Sequence, residues 1–230
     1  MTDEQARQAL EDFLLDPNDG IFRGPYVRVR TPFRPVDRDW RTPLDWQPPD
    51  FEPYRHQARA FERLDTRDGP AEPTIVTTGT GSGKTECFLV PILDHAARAR
   101  ARGENGIKAI VLYPMSALIT DQARRIAEWL YDEPALRDAT AGVYVGGQGK
   151  QTRLSRTHLV DDRAQLRADP PDILPTNDEM LDLLLMRDED APLSSASTHS
   201  IRYLVLDEFH TDDGAQGTDA RCCYADWASP

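Results

Sequence analysis

Residues 74–85 read Thr-Ile-Val-Thr-Thr-Gly-Thr-Gly-Ser-Gly-Lys-Thr: a short apolar strand pattern, then a glycine-rich loop, then a helical pattern from about Gly83. Because glycine lacks a Cβ atom, the backbone of this loop can curl and point successive N–H groups inward. Those N–H groups and the N-terminus of the following helix form a site for an anion. The stretch therefore predicts a phosphate-binding loop between a strand at 74–77 and a helix.

The end of this loop carries the groups expected to bind a nucleotide and its metal. Lys84 supplies a positive charge for the β and γ phosphates, and the Thr85 hydroxyl can ligate Mg²⁺. The loop departs from the general motif G-x-x-x-x-G-K-[ST] at Thr78, which stands in place of the first glycine. A flexible Gly/Ser linker would not explain the Lys-Thr pair or the flanking strand and helix. The backbone contacts are assigned to Thr80, Gly81, Ser82 and Gly83.

Length and composition restrict the class of protein. The 230 residues suffice for one sizeable domain with an extension, or for two small domains. A net charge of −12 argues against a protein that coats nucleic acid non-specifically, but it leaves room for a local basic groove. Three cysteines without a C-x-x-C pair predict no disulfide framework and no zinc site. With no signal-peptide pattern and no long apolar run, we expect a cytoplasmic chain without membrane contact.

The first 50 residues are predicted to form an N-terminal extension. Residues 1–15 show the apolar spacing of a short helix, and residues 21–50 are rich in Pro, Arg and Trp, with a strand pattern at 26–30. Covering the core of the main domain is the preferred interpretation, and a partner-binding arm is the alternative. The main domain is assigned to residues 51–230.

Strand and helix patterns alternate about five times along the main domain, which predicts an α/β fold with a mostly parallel sheet and helices on both faces. The Ala/Arg repeat at 97–102 is interpreted as a solvated helix end rather than a nucleic-acid patch. Residues 151–169, with several arginines among polar residues, show no clear pattern, and a partly helical segment is the alternative left open. Strands are predicted at 74–77, 107–113, 142–145, 172–174 and 201–206, and helices at about 58–64, 83–102, 116–131 and 178–186.

Two carboxylates follow the last predicted strand. Asp207 ends this strand, where it can hold Mg²⁺ through water, and Glu208 follows where it can orient or deprotonate an attacking water. Ligands of parallel sheets bind at the carboxyl ends of strands, so we expect these residues to meet the phosphate loop. The alternative, a solvated acidic turn, does not account for a phosphate-binding loop in the same chain.

Residues 207–210, Asp-Glu-Phe-His, resemble the DExH box of superfamily 2 helicases. Residues 78–85 are similar to motif I of that family, which often lacks the first glycine, and residues 54–57 (Tyr-Arg-His-Gln) resemble its adenine-reading segment. The resemblance implies a RecA-like P-loop NTPase fold with ATP and Mg²⁺ as cofactors. It also implies that Gln57 reads the base edge, with Tyr54 or Phe51 beside the ring, and that His210 faces the nucleotide.

Two further segments resemble the parts of these helicases that touch the sugar–phosphate backbone. They are residues 113–118 (Tyr-Pro-Met-Ser-Ala-Leu) with Gln122, and residues 174–181 (Leu-Pro-Thr-Asn-Asp-Glu-Met-Leu). From the residues alone, Ser116 and Thr176 can each be either a helix cap or a phosphate contact. The acidic pair at 178–179 weighs against a contact there. The implied contact residues are Pro114, Met115, Ser116, Gln122, Thr176 and Asn177.

The resemblance covers about residues 51–219, and residues 213–219 favour the large bacterial DEAD/DEAH-type helicases, including MrfA-like repair helicases and phage-defence helicases. This subgroup implies a nucleic-acid partner, with DNA favoured over RNA. Complete helicases carry a second RecA-like lobe that supplies arginines to the γ-phosphate. We expect the first lobe only, completed by a second lobe in trans or a partner subunit, and very slow ATP hydrolysis by the isolated chain.

Two other classes of function stay open at this point. One is an ATP-sensing binding module, or a truncated inactive fragment, without unwinding activity. The other is a P-loop kinase for a small molecule, which the adjacent carboxylates at 207–208 disfavour. A response of ATPase activity or nucleotide affinity to single-stranded nucleic acid would separate the motor lobe from the sensor.

Overall fold

A computed structural model of the chain describes residues 3–16, 20, 32–79, 81–147 and 150–208. The chain divides into two units, Met1–Phe33 and Arg34–Pro230. The first contains helix α1 (Asp3–Leu15), which confirms the helix predicted at 1–15. The strand predicted at 26–30 lies outside the described residues.

The larger unit begins at Arg34, so the boundary predicted between residues 50 and 51 differs from the structural one. Residues 34–50 belong to this unit because their apolar side chains enter its core: Leu44 and Trp46 are buried. The Trp46 N–H donates to Asp94 Oδ1 at 2.8 Å, and Pro35 forms an antiparallel bridge with Tyr54. These residues therefore cover the core, as the preferred interpretation expected.

The secondary structure of the larger unit follows the predicted alternation of helices and strands. No described helix meets the length and apolarity that crossing a membrane requires. The elements are α2 (Arg55–Leu64), α3 (Lys84–Ala101), β1 (Ala109–Leu112), α4 (Ser116–Asp132), α5 (Arg163–Ala168), β2 (Ile173–Thr176), α6 (Asp178–Met186), α7 (Ala191–Ser195) and β3 (Tyr203–Leu206), with 3₁₀ turns at Pro134–Leu136 and Asp188–Asp190.

Strand β1 lies at the centre of a three-stranded sheet in which both of its neighbours, β2 and β3, run parallel to it. Isolated parallel bridges from Ala141 to Ile173 and from Tyr144 to Thr176 continue the pairing beyond β2, near the strand predicted at 142–145. The parallel arrangement brings the carboxyl ends of all three strands to one edge of the sheet. The predicted site residues follow at that edge.

Helices cover both faces of this sheet, because alternate residues of β1 point to opposite sides. Ala109 and Val111 join a core with α3 and α4 residues such as Leu89 and Ile126. On the other face, the apolar side chains of β1 pack with α6 and α7. The predicted α/β architecture with helices on both faces is confirmed.

The predicted strand at 74–77 is wrong. Residues 71–79 carry no strand assignment, although half-buried and exposed positions alternate from 74 to 79 as they do in a strand. The described residues include no ladder partner for this segment, and Ile75 is 90% exposed. The Arg63 side chain holds its start by bonds to Thr74 Oγ1 and the Pro73 carbonyl. A strand pattern forms a strand only where a neighbouring backbone accepts its hydrogen bonds.

Two of the three arginines of the Ala/Arg repeat at the end of α3, Arg98 and Arg100, are largely buried, and the third, Arg102, is half exposed. Arg98 pairs with Asp94 at 2.9 Å, and Arg102 pairs with Glu104 at 2.6 Å. Arg100 donates from Nε to both carboxylate oxygens of Asp172, at 2.9 and 2.8 Å. This helix end therefore does not provide a nucleic-acid patch. Only part of the helix end is the solvated face that the sequence predicts.

Candidate nucleotide site

The phosphate loop has the backbone geometry that its glycines allow. Gly81 and Gly83 have φ angles of +76° and +74°, in the left-handed region that side-chain-bearing residues rarely adopt. A Cβ atom at Gly83 would also overlap the side chain of Gln57. Helix α3 begins directly afterwards at Lys84. Thr80 lies outside the described residues, so its assigned phosphate contact stays a prediction.

Helix α2 holds the loop in place from its first turn. His56 Nε2 lies 2.9 Å from the carbonyl oxygen of Ser82, and Gln57 Nε2 donates to the carbonyl oxygen of Gly83 at 3.0 Å. Within the loop, the hydroxyls of Thr78 and Ser82 lie 2.5 Å apart. Thr78 therefore braces the loop, which gives a physical role to the residue that departs from the glycine motif.

Gln57 lines the same cavity as the phosphate loop and is also hydrogen-bonded within the protein. Its side chain is almost fully buried, and its Oε1 accepts from the Tyr54 N–H at 2.8 Å while its Nε2 bonds Gly83. Each end of the amide makes one bond here, but its nitrogen carries two hydrogens and its oxygen two lone pairs, so the expectation that Gln57 reads the base stays a prediction. Tyr54 and Phe51 line the cavity and remain candidates for contact with the base.

The phosphate loop and the acidic pair share one cavity of about 590 Å³. Gly81, Gly83, Lys84 and Thr85 line it together with Asp207 and Glu208. The Asp207 N–H donates to the carbonyl oxygen of Leu112 at 3.0 Å, which fixes the end of β3 against β1. The two clusters that the sequence predicts to converge are therefore brought together.

In the acidic pair of the cavity, Glu208 has an uncommon backbone angle and Asp207 has a raised pKa. Glu208 has a φ angle of +53°, rare for a residue with a side chain, and its N–H donates to Asp207 Oδ1 at 3.0 Å. Burial raises the pKa of Asp207, the neighbouring Glu208 adds to this, and the Glu208 N–H and Lys84 oppose it. A cation bound at this carboxylate would stabilise its charged form.

The donor set in the cavity fits Mg²⁺. Both the Thr85 hydroxyl and the Asp207 carboxylate line it, and they are the only two oxygen ligands that the sequence assigns to the metal. Mg²⁺ usually binds through one or two protein oxygens, with water and substrate phosphates in its other positions. The phosphate loop lies in the same cavity to supply such phosphates.

One wall of the cavity consists of residues that the sequence reasoning missed or assigned elsewhere. Gln122 lies there beside Asp207 and Glu208, although the resemblance had implied a nucleic-acid contact for it. Leu118, Gln122 and Arg125 follow the spacing i, i+4, i+7, the signal that places them on one face of α4. The missed members of this wall are Tyr113, Glu86 and Arg125.

Two polar atoms on this wall are buried without a hydrogen-bond partner among the described residues. They are the Tyr113 hydroxyl and Gln122 Oε1. Burial raises the pKa of Tyr113, and the charge of Asp207 acts in the same direction, so the hydroxyl keeps its proton. Buried polar atoms normally have partners, so these two mark the wall as a place for a polar ligand or water.

The residues implied to touch nucleic acid fall into two groups. Met115 and Ser116 are exposed at the start of α4, beside the half-buried Pro114, and no side chain caps this helix. Ser116 is therefore not a helix cap, and the alternative of a phosphate contact stays open. Asn177 caps α6 by accepting from the Met180 N–H at 2.9 Å. Its proposed contact would have to coexist with that cap.

Thr176 has no exposed surface, and its hydroxyl donates to the carbonyl oxygen of Tyr144 at 2.5 Å. A phosphate contact through this side chain is therefore not supported by its placement. The hydroxyl instead links β2 to the neighbouring extended segment. His210 lies outside the described residues, so its implied contact with the nucleotide stays a prediction.

Comparison with known proteins agrees with the geometry of the cavity. The chain is 32% identical over 147 residues to the Druantia protein DruE of Escherichia coli, covering 56% of this chain and 8% of DruE. It is 28% identical over 165 residues to an uncharacterized ATP-dependent helicase, YprA, of Bacillus subtilis, covering 72% of this chain and 19% of YprA. The chain thus spans less than a quarter of the length of either relative.

A solved structure of the helicase MrfA bound to DNA and AMPPNP superposes with a TM-score of 0.56 at 25% identity, over 79% of this chain and 23% of MrfA. This likeness supports the RecA-like arrangement of sheet and helices. The family model described as DEAD/DEAH box helicase matches residues 54–224, which include both the phosphate loop and the acidic pair. The chain therefore belongs to the DEAD/DEAH box helicase family.

Proposed function

We propose that this chain is the ATP-binding lobe of a nucleic-acid motor, which couples ATP hydrolysis to movement on nucleic acid when a second RecA-like lobe completes it. The observation that carries the proposal is the shared cavity, where Lys84 and Thr85 meet Asp207 and Glu208. A sheet edge with these four side chains can bind a triphosphate, its metal and an attacking water together. The second lobe is part of the proposal because the relatives are several times longer than this chain.

The residues that the sequence assigns to the nucleotide and its metal have distinct roles in this scheme. Lys84 binds the β and γ phosphates, and the N–H groups of the loop at 80–83 surround them. Thr85 and Asp207 hold Mg²⁺, which neutralises charge on the phosphates when it is bound. Glu208 orients the attacking water and accepts its proton. Tyr54, Phe51 and Gln57, which line the same cavity, contact the base.

The nucleic-acid strand is proposed to bind at the carboxyl edge of the sheet, where α4 and α6 begin. Free N–H groups at the start of α4 and the Ser116 hydroxyl can donate to a phosphate, and Asn177 lies at the start of α6. This mode needs a few local donors rather than a basic surface, which is compatible with the net charge of −12. DNA is favoured over RNA, because the solved MrfA structure contains DNA.

The proposal predicts that single-stranded DNA raises the affinity of the chain for an ATP analogue. Nucleotide affinity would be measured with Mg²⁺ at low salt, with and without an oligothymidylate, and the measurement would be repeated at high salt. We expect tighter nucleotide binding with DNA, and loss of this effect as salt weakens the phosphate contacts. An ATP-sensing module would bind the nucleotide with no response to DNA at any salt concentration.

A further inference from the structure

We propose that helix α4 couples strand binding to the nucleotide cavity, and that Arg125 is the positioning residue through which it acts on the phosphate loop. This inference rests on the proposed function and names the element that would link its two sites. The argument uses the two ends of α4, the partner of Arg125, and the buried polar atoms beside it.

Helix α4 reaches both proposed sites with one rigid element. Its first residues, with Ser116 exposed, lie at the edge proposed for the strand. Its inner face places Gln122 and Arg125 on the wall of the nucleotide cavity. Arg125 lies nine positions after Ser116, which is about 14 Å along a helix. A small shift of α4 on strand binding would therefore move Arg125 relative to the phosphate loop.

Arg125 contacts the phosphate loop through Glu86, in the first turn of α3. Its Nη2 donates to Glu86 Oε1, and its guanidinium lies 5.0 Å from the ring centroid of Trp129, one turn further along α4. Glu86 comes directly after Thr85, and its other carboxylate oxygen lies 2.9 Å from where a Cβ atom of Gly83 would be. The ion pair therefore joins α4 to the turn that holds the phosphates.

The charge of Glu86 explains why this pair would affect nucleotide binding. A carboxylate beside a bound triphosphate repels it, and a paired guanidinium offsets that repulsion. Glu86 is largely buried, with 13% of its side chain exposed, so water screens it weakly. When α4 moves Arg125 toward Glu86 the cavity favours the nucleotide, and when it moves Arg125 away the carboxylate opposes it.

A second observation indicates that this wall of the cavity is more than a packing contact. Gln122 Oε1 lies one turn before Arg125 on the same face of α4, and it is buried with no described partner. The Tyr113 hydroxyl, also buried and without a described partner, lies on the same wall near Asp207. A surface that served only to pack α3 against α4 would not leave these polar atoms unsatisfied.

The test compares nucleotide affinity with and without DNA in Arg125→Met and Glu86→Gln. The measured quantity is the coupling ratio, which is the nucleotide affinity with DNA divided by the affinity without DNA. Allosteric coupling typically changes affinity about 5- to 150-fold, so the wild-type ratio should lie in this range. We expect the ratio to fall below about twofold in both variants, and the double variant to lose no more than either single variant. A pair that is only structural would lower stability and leave the ratio unchanged.

Arg124→Met is the matched control, because Arg124 is the next residue of α4 and pairs on the surface with Asp121. It should keep the wild-type ratio. If thermal unfolding shows that Arg125→Met is not folded, the result for Glu86→Gln alone tests the proposal, because this variant keeps Arg125 and the size of the Glu86 side chain. A wild-type ratio in both variants overturns the proposal. A wild-type chain that binds nucleotide and DNA with a ratio of one also overturns the coupling, whereas failure to bind either ligand contradicts the proposed function itself.

Discussion

Replacing Lys84 with alanine is expected to weaken the binding of an ATP analogue with Mg²⁺ by about 10- to 140-fold. Lys84 is the lysine that lines the cavity, and it begins α3 directly after the phosphate loop. A hydrogen bond to a charged group contributes about 1.5 to 3 kcal/mol, and each 1.4 kcal/mol is tenfold in affinity. The measurement is a titration with a fluorescent ATP analogue in the presence of Mg²⁺.

Lys150→Ala provides the matched control for this titration. Lys150 is exposed and does not line the cavity, so its removal changes the net charge of the chain by the same amount. We expect it to bind the nucleotide as the wild type does. Equal affinities for wild type and Lys84→Ala would mean that the nucleotide does not bind at the phosphate loop.

Replacing Asp172 with alanine is expected to destabilise the fold by about 3 to 5 kcal/mol, the usual cost of breaking a buried ion pair by removing one partner. Asp172 is fully buried before β2, where it pairs with the fully buried Lys108 at 2.9 Å and with Arg100 at 2.8 Å. It also accepts from the Thr140 N–H at 2.8 Å and from its hydroxyl at 2.9 Å. The change removes the counter-ion of two cations, which keep only neutral acceptors among the described residues, such as the Pro170 and Gly106 carbonyls, and it removes the acceptor of the Thr140 N–H.

Thermal unfolding measures this effect. In a chain of this size, each kcal/mol shifts Tm by about 2 to 4 °C, so a fall of roughly 6 to 20 °C is expected. Asp169→Ala is the control, because the Asp169 side chain is exposed a few residues earlier, and its Tm should stay close to that of the wild type. A Tm for Asp172→Ala that matches this control would show that the buried cluster contributes little to stability.

The sequence was sufficient to predict the meeting of the phosphate loop with Asp207 and Glu208. For Asp207 and Glu208 the prediction rested on a general rule: parallel strands end at one edge of a sheet, and functional residues follow them there. The phosphate loop lines the same cavity although no described strand precedes it. The conformation of Gly83 could also be predicted, because a glycine before Lys-Thr at a helix start lets the backbone turn its N–H groups toward an anion. The parallel sheet with helices on both faces followed from the alternation of patterns.

The use of individual polar side chains was harder to predict. Gln57 and Thr176 have residue types suited to ligand contacts, yet both are buried and satisfy backbone groups of their own chain. Local sequence does not show which carbonyl or N–H lies within reach of a side chain. The Arg125–Glu86 pair was missed for the same reason, since its partners lie on different helices 39 residues apart.

The segment at 74–77 shows a different limit of sequence patterns. Its alternation is that of a strand, and the structure keeps this alternation in its exposure, but no described strand pairs with it. Pairing depends on a neighbour elsewhere in the chain, which a local pattern cannot report. The predicted domain boundary at residue 51 lies later than the structural one at Arg34. The sequence of residues 34–50 is proline-rich and looks like a loop, and it does not show that Leu44 and Trp46 join the core.

The most direct test of the account is a crystal structure of the chain with a non-hydrolysable ATP analogue and Mg²⁺. We predict that the triphosphate lies against Gly83, Lys84 and Thr85, with the metal between the Thr85 hydroxyl and the Asp207 carboxylate. Glu208 should then face the γ-phosphate. A nucleotide bound elsewhere, or a metal remote from Asp207, would contradict the assignment of this cavity as the ATP site.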